Sequence, residues 1–324
     1  MPHLASIRRR TFLATAAASA ALPSLAQTFP SKPMRVVVPA VAGSSADLLA
    51  RLLGERVARL SGQPWLVDNR AGAGGIIGSD AVAKADPDGH TLLLTANNFV
   101  ISPSMYASVP YDVVKDFAPV SLVSTAPNFI FINAASGVSN MAGLVALARR
   151  TPEGLNYSSP FVGTSAHLTM EMLKRAAGIN LVHVPSKGMP QAFTEALSGR
   201  VPLVIGSYSD GAPFLKSGAL RAIAVVDAQR MAALPEVPTL VELGYPQFDF
   251  TLWFGLLAPA RTPEAVIARA NQLVVDALAT RELADGLVER GFLPKPSTPA
   301  AFAEIVRKEL GMYTKVVREA GIKA

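Results

Sequence analysis

Short apolar runs alternate with longer amphipathic stretches along most of the chain, and this alternation limits the fold more than any other feature. Arg35-Val36-Val37-Val38 reads as a strand and Pro39 to Ser45 as a loop. Ala46 to Leu60 reads as a helix, with Leu48, Leu49, Leu52, Leu53 and Val57 on one face and Arg51, Glu55 and Arg59 opposite. The unit repeats: Trp65-Leu66-Val67 is a strand, Asn69 to Gly75 a loop, and Ile76 to Ala85 a helix. Asp86-Pro87-Asp88-Gly89 is a turn by composition, and Thr91 to Leu94 is the next strand. Continuously apolar strands of this kind predict a parallel sheet covered by helices on both faces.

The alternation continues with strands at Val120–Val123, Phe129–Ile132, Tyr157, Leu181–Val184, Leu203–Ile205, Leu220–Val226 and Leu252–Leu257. Between and after them lie helices at Leu144–Arg150, Ala166–Ala177, Gln191–Leu197, Glu264–Ala279 and Pro299–Ala320. These are too many units for one compact half, so the pattern predicts two α/β domains.

At 324 residues, 50% hydrophobic and 17% charged, the chain has the material for two real cores. It has no cysteine, which excludes disulfides, zinc-thiolate sites, iron-sulfur clusters and a cysteine nucleophile. Of the net charge of +6, three units come from Arg8, Arg9 and Arg10, and no later segment is a basic block. Nucleic acid is therefore not an expected partner. The first 26 residues read as a signal peptide: arginines, an apolar Ala-rich run through Leu25, and small residues at Ser24 and Ala26 for cleavage. Arg9-Arg10-Thr11-Phe12-Leu13 fits a twin-arginine signal, with an ordinary secretory signal as the alternative. Either way the expectation is a mature periplasmic protein beginning at Gln27.

Sites for known chemistry are sparse. Ala71-Gly72-Ala73-Gly74-Gly75-Ile76-Ile77-Gly78 gives Gly-x-Gly without the full dinucleotide fingerprint or its ribose-binding acid. An exported nucleotide-dependent oxidoreductase is thus a weak alternative. There is no phosphate P-loop, nucleophile elbow or paired-histidine zinc motif. His167 and Glu171 are one helical turn apart, too few for a metal site, so neither metal nor cofactor is expected. His183, between Val182 and Val184, reads as structural. Three loops stand out instead: Ala42-Gly43-Ser44-Ser45-Ala46-Asp47, Val162-Gly163-Thr164-Ser165-Ala166-His167 and Ser186-Lys187-Gly188. Each opens a helix and offers backbone N–H groups to an anion.

Together these residues resemble the substrate-binding proteins of tripartite tricarboxylate transporters, the Bug receptors. The marks are Pro30-Ser31-Lys32-Pro33-Met34-Arg35-Val36-Val37-Val38-Pro39, Asp68-Asn69-Arg70-Ala71-Gly72-Ala73-Gly74-Gly75, Ala85-Asp86-Pro87-Asp88-Gly89 and Lys115-Asp116-Phe117-Ala118-Pro119-Val120. His183-Val184-Pro185 with Lys187-Gly188, Leu234-Pro235-Glu236-Val237-Pro238-Thr239 and Trp253-Phe254-Gly255 continue them in order. The resemblance implies an α/β, two-domain periplasmic binding protein of type II, a Venus flytrap with its ligand cleft between the domains and no catalytic activity. It implies domain 1 over 27–125 and 229–324, with domain 2 over 126–228. It also implies a small organic anion as ligand and membrane permease subunits as partners, or, alternatively, a sensor histidine kinase.

Carried over by position, the implied ligand-binding residues are Ala42, Gly43, Ser44, Ser45, Asp47, Asn97, Phe161, Gly163, Thr164, Ser165, His167, Lys187, Gly188, Met189 and Ser207, and the stretches Ala96-Asn97-Asn98-Phe99 and Gly206-Ser207-Tyr208 are expected to line the cleft. The chain departs from the family pattern in these loops. Phe161, Val162 and Met189 replace polar groups, and Gly206 stands where an acidic residue is common. The departures predict a bulky or partly apolar carboxylate and, for want of an acid at 206, not an amino acid.

Overall fold

A computed structural model describes residues 29–248 and 251–321; the expected signal peptide lies outside the described residues. Eleven strands run along them: β1 (Met34–Val38), β2 (Trp65–Asn69), β3 (Thr91–Ala96), β4 (Phe117–Thr125), β5 (Asn128–Asn133), β6 (Leu155–Pro160), β7 (Leu181–Ser186), β8 (Leu203–Ser207), β9 (Leu220–Val226), β10 (Trp253–Pro259) and β11 (Leu293–Pro294). The helices are α1 (Ser45–Ser61), α2 (Ile76–Ala83), α3 (Asn98–Met105), α4 (Met141–Arg149), α5 (Ser165–Ala176), α6 (Met189–Leu197), α7 (Tyr208–Lys216), α8 (Glu264–Leu278), α9 (Arg281–Val288) and α10 (Pro299–Ala320).

The strands form two sheets, ordered β11-β4-β10-β3-β1-β2 and β7-β6-β8-β5-β9. Both are mixed, which corrects the all-parallel expectation. β10 runs antiparallel between β3 and β4, and β5 antiparallel between β8 and β9. Every residue of β5 and of β10 is buried. A continuous apolar run therefore reports burial on both faces, and strand direction follows from where the chain enters the sheet.

In the first sheet, alternate side chains serve opposite cores. Val36, Val38, Leu92 and Leu94 pack with Leu49, Leu53 and Val57 of α1. Val37 and Leu93 face the other way, toward Phe99 of α3 and Phe302 of α10. Each fully buried aliphatic side chain contributes on the order of 1.5–3 kcal/mol. α1 lies flush on the sheet because position 54 is glycine: a Cβ there would sit 2.1 Å from the Trp65 ring. Three helices, α3, α7 and α9, occupy stretches where the sequence pattern predicted none. α3 and α7 each carry an interior proline, Pro103 and Pro213, which hid their period.

The chain passes from the first sheet to the second through Ala126 and Pro127. After β9 it stays with the second sheet. Met231 and Val237 join that sheet's core, Leu240 and Phe248 its other face, and Leu240 N–H donates to Val225 O. The return is marked by Ala126 N–H donating to Leu252 O at 2.8 Å. The two lobes also touch directly, with Tyr106 Oη donating to Val162 O at 3.0 Å and Leu168 of α5 packed in the first lobe's core.

Candidate functional site

Strand-to-helix junctions from both lobes meet in a cavity of about 120 Å³ between them. One water needs roughly 10–15 Å³, so the space suits a small organic molecule. The first lobe supplies the β1–α1 loop. Ser44 caps α1, its Oγ accepting from Asp47 N–H, while Ser45 and Ala46 form the wall. Asp47 turns back into the loop: its Oδ2 accepts from Gly43 N–H at 2.9 Å, and its carboxylate pairs with Arg51. Burial raises the Asp47 carboxyl, but the Arg51 and Gly43 hydrogen bonds outweigh it, so it sits below the ordinary carboxylate range.

The second lobe supplies the β6–α5 loop. Phe161 has φ 57°, a left-handed conformation that is uncommon outside glycine, and its ring lines the cavity. Gly163 follows at φ 83° and turns the chain into α5. Thr164 caps that helix by accepting from His167 N–H at 3.3 Å. The N–H groups of Ser165 and Ala166 meet no acceptor among the described residues. Val162 packs instead with the first lobe's core.

Beneath this loop two imidazoles stack, His167 on His183 at 4.1 Å, and Tyr157 stacks on the far ring. His167 Nδ1 accepts from Gly163 N–H, and His183 Nε2 contacts Ser159 Oγ at 2.8 Å. Burial lowers both rings, and the neighbouring His167 helps push His183 down to about 3. Since the folded value lies below the unfolded one, the stability from a neutral His183 is complete above about pH 6.5 and is lost as pH falls toward about 3. Melting temperature measured across this window should fall in the wild type and fall less in His183→Gln. Parallel curves would show that His183 does not titrate in the fold.

The third junction, β7–α6, places Gly188 and Met189 on the wall. A Cβ at Gly188 would come within 2.5 Å of Val41, so this backbone rests on the first lobe's loop. Lys187 is exposed; its N–H donates to Gln191 Oε1, and it does not line the cavity. At the end of β8, Ser207 caps α7 in a box with Asp210. Asp210 Oδ2 accepts from Ser207 Oγ at 2.7 Å and, across the lobes, from Ser45 Oγ at 2.6 Å. Burial raises the Asp210 carboxyl above its ordinary range, opposed by the Ser45 and Ser207 hydrogen bonds.

Of the residues expected from sequence, Ser44, Ser45, Phe161, Thr164, Ser165, Gly188, Met189 and Ser207 line this cavity. Ala42, Gly43, Asp47, Gly163, His167 and Lys187 lie behind or beside it and shape its loops. Asn97 is fully buried and turned away, its side chain bonded to Trp253 N–H and Glu309. Asn98, expected at the cleft with its neighbours, lines the wall, and so do Thr95, Asn128 and Asp210, which the sequence did not point to. Thr95 Oγ1 is buried without a hydrogen-bond partner. The capping-box spacing Ser207-x-x-Asp210 was the available signal for Asp210. Gly206 therefore does not leave the cavity without an acid, and the argument against an amino-acid ligand loses its basis.

Residues 49–322 match the family described as "Tripartite tricarboxylate transporter family receptor". The protein BugT of Bordetella pertussis is 34% identical, over 96% of both chains. The structure of the periplasmic binding protein BugD covers 91% of this chain and 99% of its own, with TM-score 0.87 and 29% identity. R. palustris Rpa4515, solved with adipate, matches with TM-score 0.87 and 31% identity over 91% of this chain and 99% of its own.

Proposed function

Because the chain belongs to the tripartite tricarboxylate transporter receptor family and has its two-domain periplasmic binding fold, we propose that it captures a small, partly apolar organic acid in the periplasm and presents it to membrane permease subunits. The family and the compared structures are binding proteins, and Rpa4515 holds adipate. Among the described residues no helix is long and apolar enough to cross a membrane. The observation that carries the reading is the interlobe cavity, where the N-terminus of α5 presents N–H groups that meet no acceptor among the described residues, beside the Thr164 and Ser165 hydroxyls. These dipoles hold a carboxylate without an arginine or lysine. The apolar part of the ligand lies against Phe161, Met189, Leu252 and Phe254. Closure of the lobes on the ligand is what the permease reads, driven by the ligand's greater affinity for the closed form. We place the domain exchange at Ala126 and again near residue 250, so that the second domain keeps the segment packed on its core.

A thermal-shift screen of organic acids on the mature protein tests this. A true ligand at 100-fold its Kd should stabilise by about 2.7 kcal/mol. Thr164→Ala should weaken that ligand's binding about ten- to a hundredfold and remove a helix cap worth about 1 kcal/mol, while Thr164→Ser keeps both. A screen in which nucleotides stabilise the protein and no carboxylate does would overturn the reading.

A further inference from the structure

Asp210 is the one residue lining the cavity, among those described, whose side chain ionises; the wall holds no lysine, arginine or histidine. Its hydrogen bonds from Ser45 Oγ, Ser207 Oγ and Ser207 N–H fall on Oδ2, and the Ser45 backbone N–H also supports the carboxylate. With no side-chain donor on Oδ1, that oxygen keeps acceptor capacity for a guest. The Ser45 hydroxyl at the start of α1 is committed to this carboxylate, and Ser209 Oγ, at 3.1 Å, donates to Ser45 Oγ in turn. A protein carboxylate therefore occupies the anion-binding position that the first lobe's loop would otherwise offer to the ligand. A second ligand carboxylate placed there would sit against the Asp210 carboxyl, with no free hydroxyl at Ser45 and no compensating cation.

We propose that Asp210 sets the ligand class: a monocarboxylate whose apolar body ends in a hydrogen-bond donor, a hydroxyl, amide or ammonium group, rather than a dicarboxylate. This rests on the reading of the cavity as a carboxylate site. The ligand's single carboxylate takes the N-terminus of α5, its carbon chain lies along Met189 and Phe254, and its donor reaches Asp210 Oδ1. Thr95 Oγ1, buried without a partner in the same wall, is a second polar group that such a guest could satisfy.

The test is calorimetry on the mature protein with straight-chain acids in matched series of increasing length: dicarboxylates, and the corresponding ω-hydroxy and ω-amino monocarboxylates. The hydroxy or amino acid should bind at least about tenfold tighter than the dicarboxylate of the same length. Asp210→Asn keeps an acceptor for Ser45 and Ser207, removes the charge and adds a donor. In it the preference should shift toward the dicarboxylate by a similar factor. Asp210→Ser serves if the amide variant does not fold, with the same shift expected. Dicarboxylates that bind the wild type as tightly as their partners, or an unchanged preference in a folded Asp210 variant, would overturn the assignment and leave carboxylate capture standing. If no member of any series binds, the carboxylate reading itself falls and this inference falls with it.

Discussion

Gly206→Asp should destabilise the protein by about 1–3 kcal/mol, chiefly because its carboxyl would be buried without a partner. A Cβ at 206 would lie 2.1 Å from Met189 Cε and 3.1 Å from the Phe193 ring, inside a strand whose five residues are all buried. Met189 Cε is the free end of a flexible side chain, so the overpacking cost falls at the low end of the usual range of roughly 1–3 kcal/mol. The added carboxyl would also enter a region where Asp210 is already a buried acid with its donors committed, so it would be left without a partner. Denaturant midpoints of Gly206→Ala, Gly206→Asp and the double variant Gly206→Asp with Met189→Ala separate the two costs. The alanine change should show the steric part, and truncating Met189 should recover some of it. A Gly206→Asp protein as stable as the wild type would mean that Met189 moves aside freely and does not fix the shape of the cavity.

The same pair of positions shows what was legible in the sequence. The loops that open α1, α5 and α6 could be read because helix starts have chemical signatures: small polar caps and glycines at fixed offsets. That placed Ser45, Thr164 and Ser165 on the cavity from sequence. Whether Phe161, Val162 and Met189 faced inward depended on tertiary packing. Phe161 and Met189 face the cavity, while Val162 is drawn into the other lobe's core and its carbonyl accepts from Tyr106. Asp210 was hidden because it stands four residues beyond Gly206, inside the first turn of α7 rather than at the end of the strand. Its carboxylate reaches the cavity only because α7 starts at Tyr208 and carries it one turn back over its own N-terminus. The direction of β10 was equally hidden. Its burial is written in Trp253 to Ala258, but its antiparallel entry between β3 and β4 follows from the chain's return from the second lobe.

Asn97→Ala should cost about 2–4 kcal/mol of stability and change ligand affinity by less than about twofold. Adjacent asparagines follow β3; the resemblance puts both at the cleft and makes the first of them the ligand contact. In the fold Asn97 points the other way. Its Oδ1 accepts from Trp253 N–H at 2.9 Å, and its Nδ2 donates to Thr251 O and Glu309 Oε2, each at 3.2 Å. Glu309 Oε2 also accepts from Trp253 Nε1 at 2.6 Å, so the amide joins β3, β10 and α10 at one buried knot. Burial raises the Glu309 carboxyl, opposed by exactly those donors from Trp253 and Asn97, so removing Asn97 leaves the Trp253 N–H unpaired and the acid less well satisfied. Asn98 is the residue on the cavity wall, its Nδ2 donating to Gly74 O at 2.7 Å. Asn98→Ala should therefore affect binding more than Asn97→Ala does, and stability less. Thermal denaturation and calorimetry on both variants decide the matter. An Asn97→Ala protein that kept its melting temperature but lost its ligand would return Asn97 to the binding site and show that the cavity wall rearranges around the bound acid.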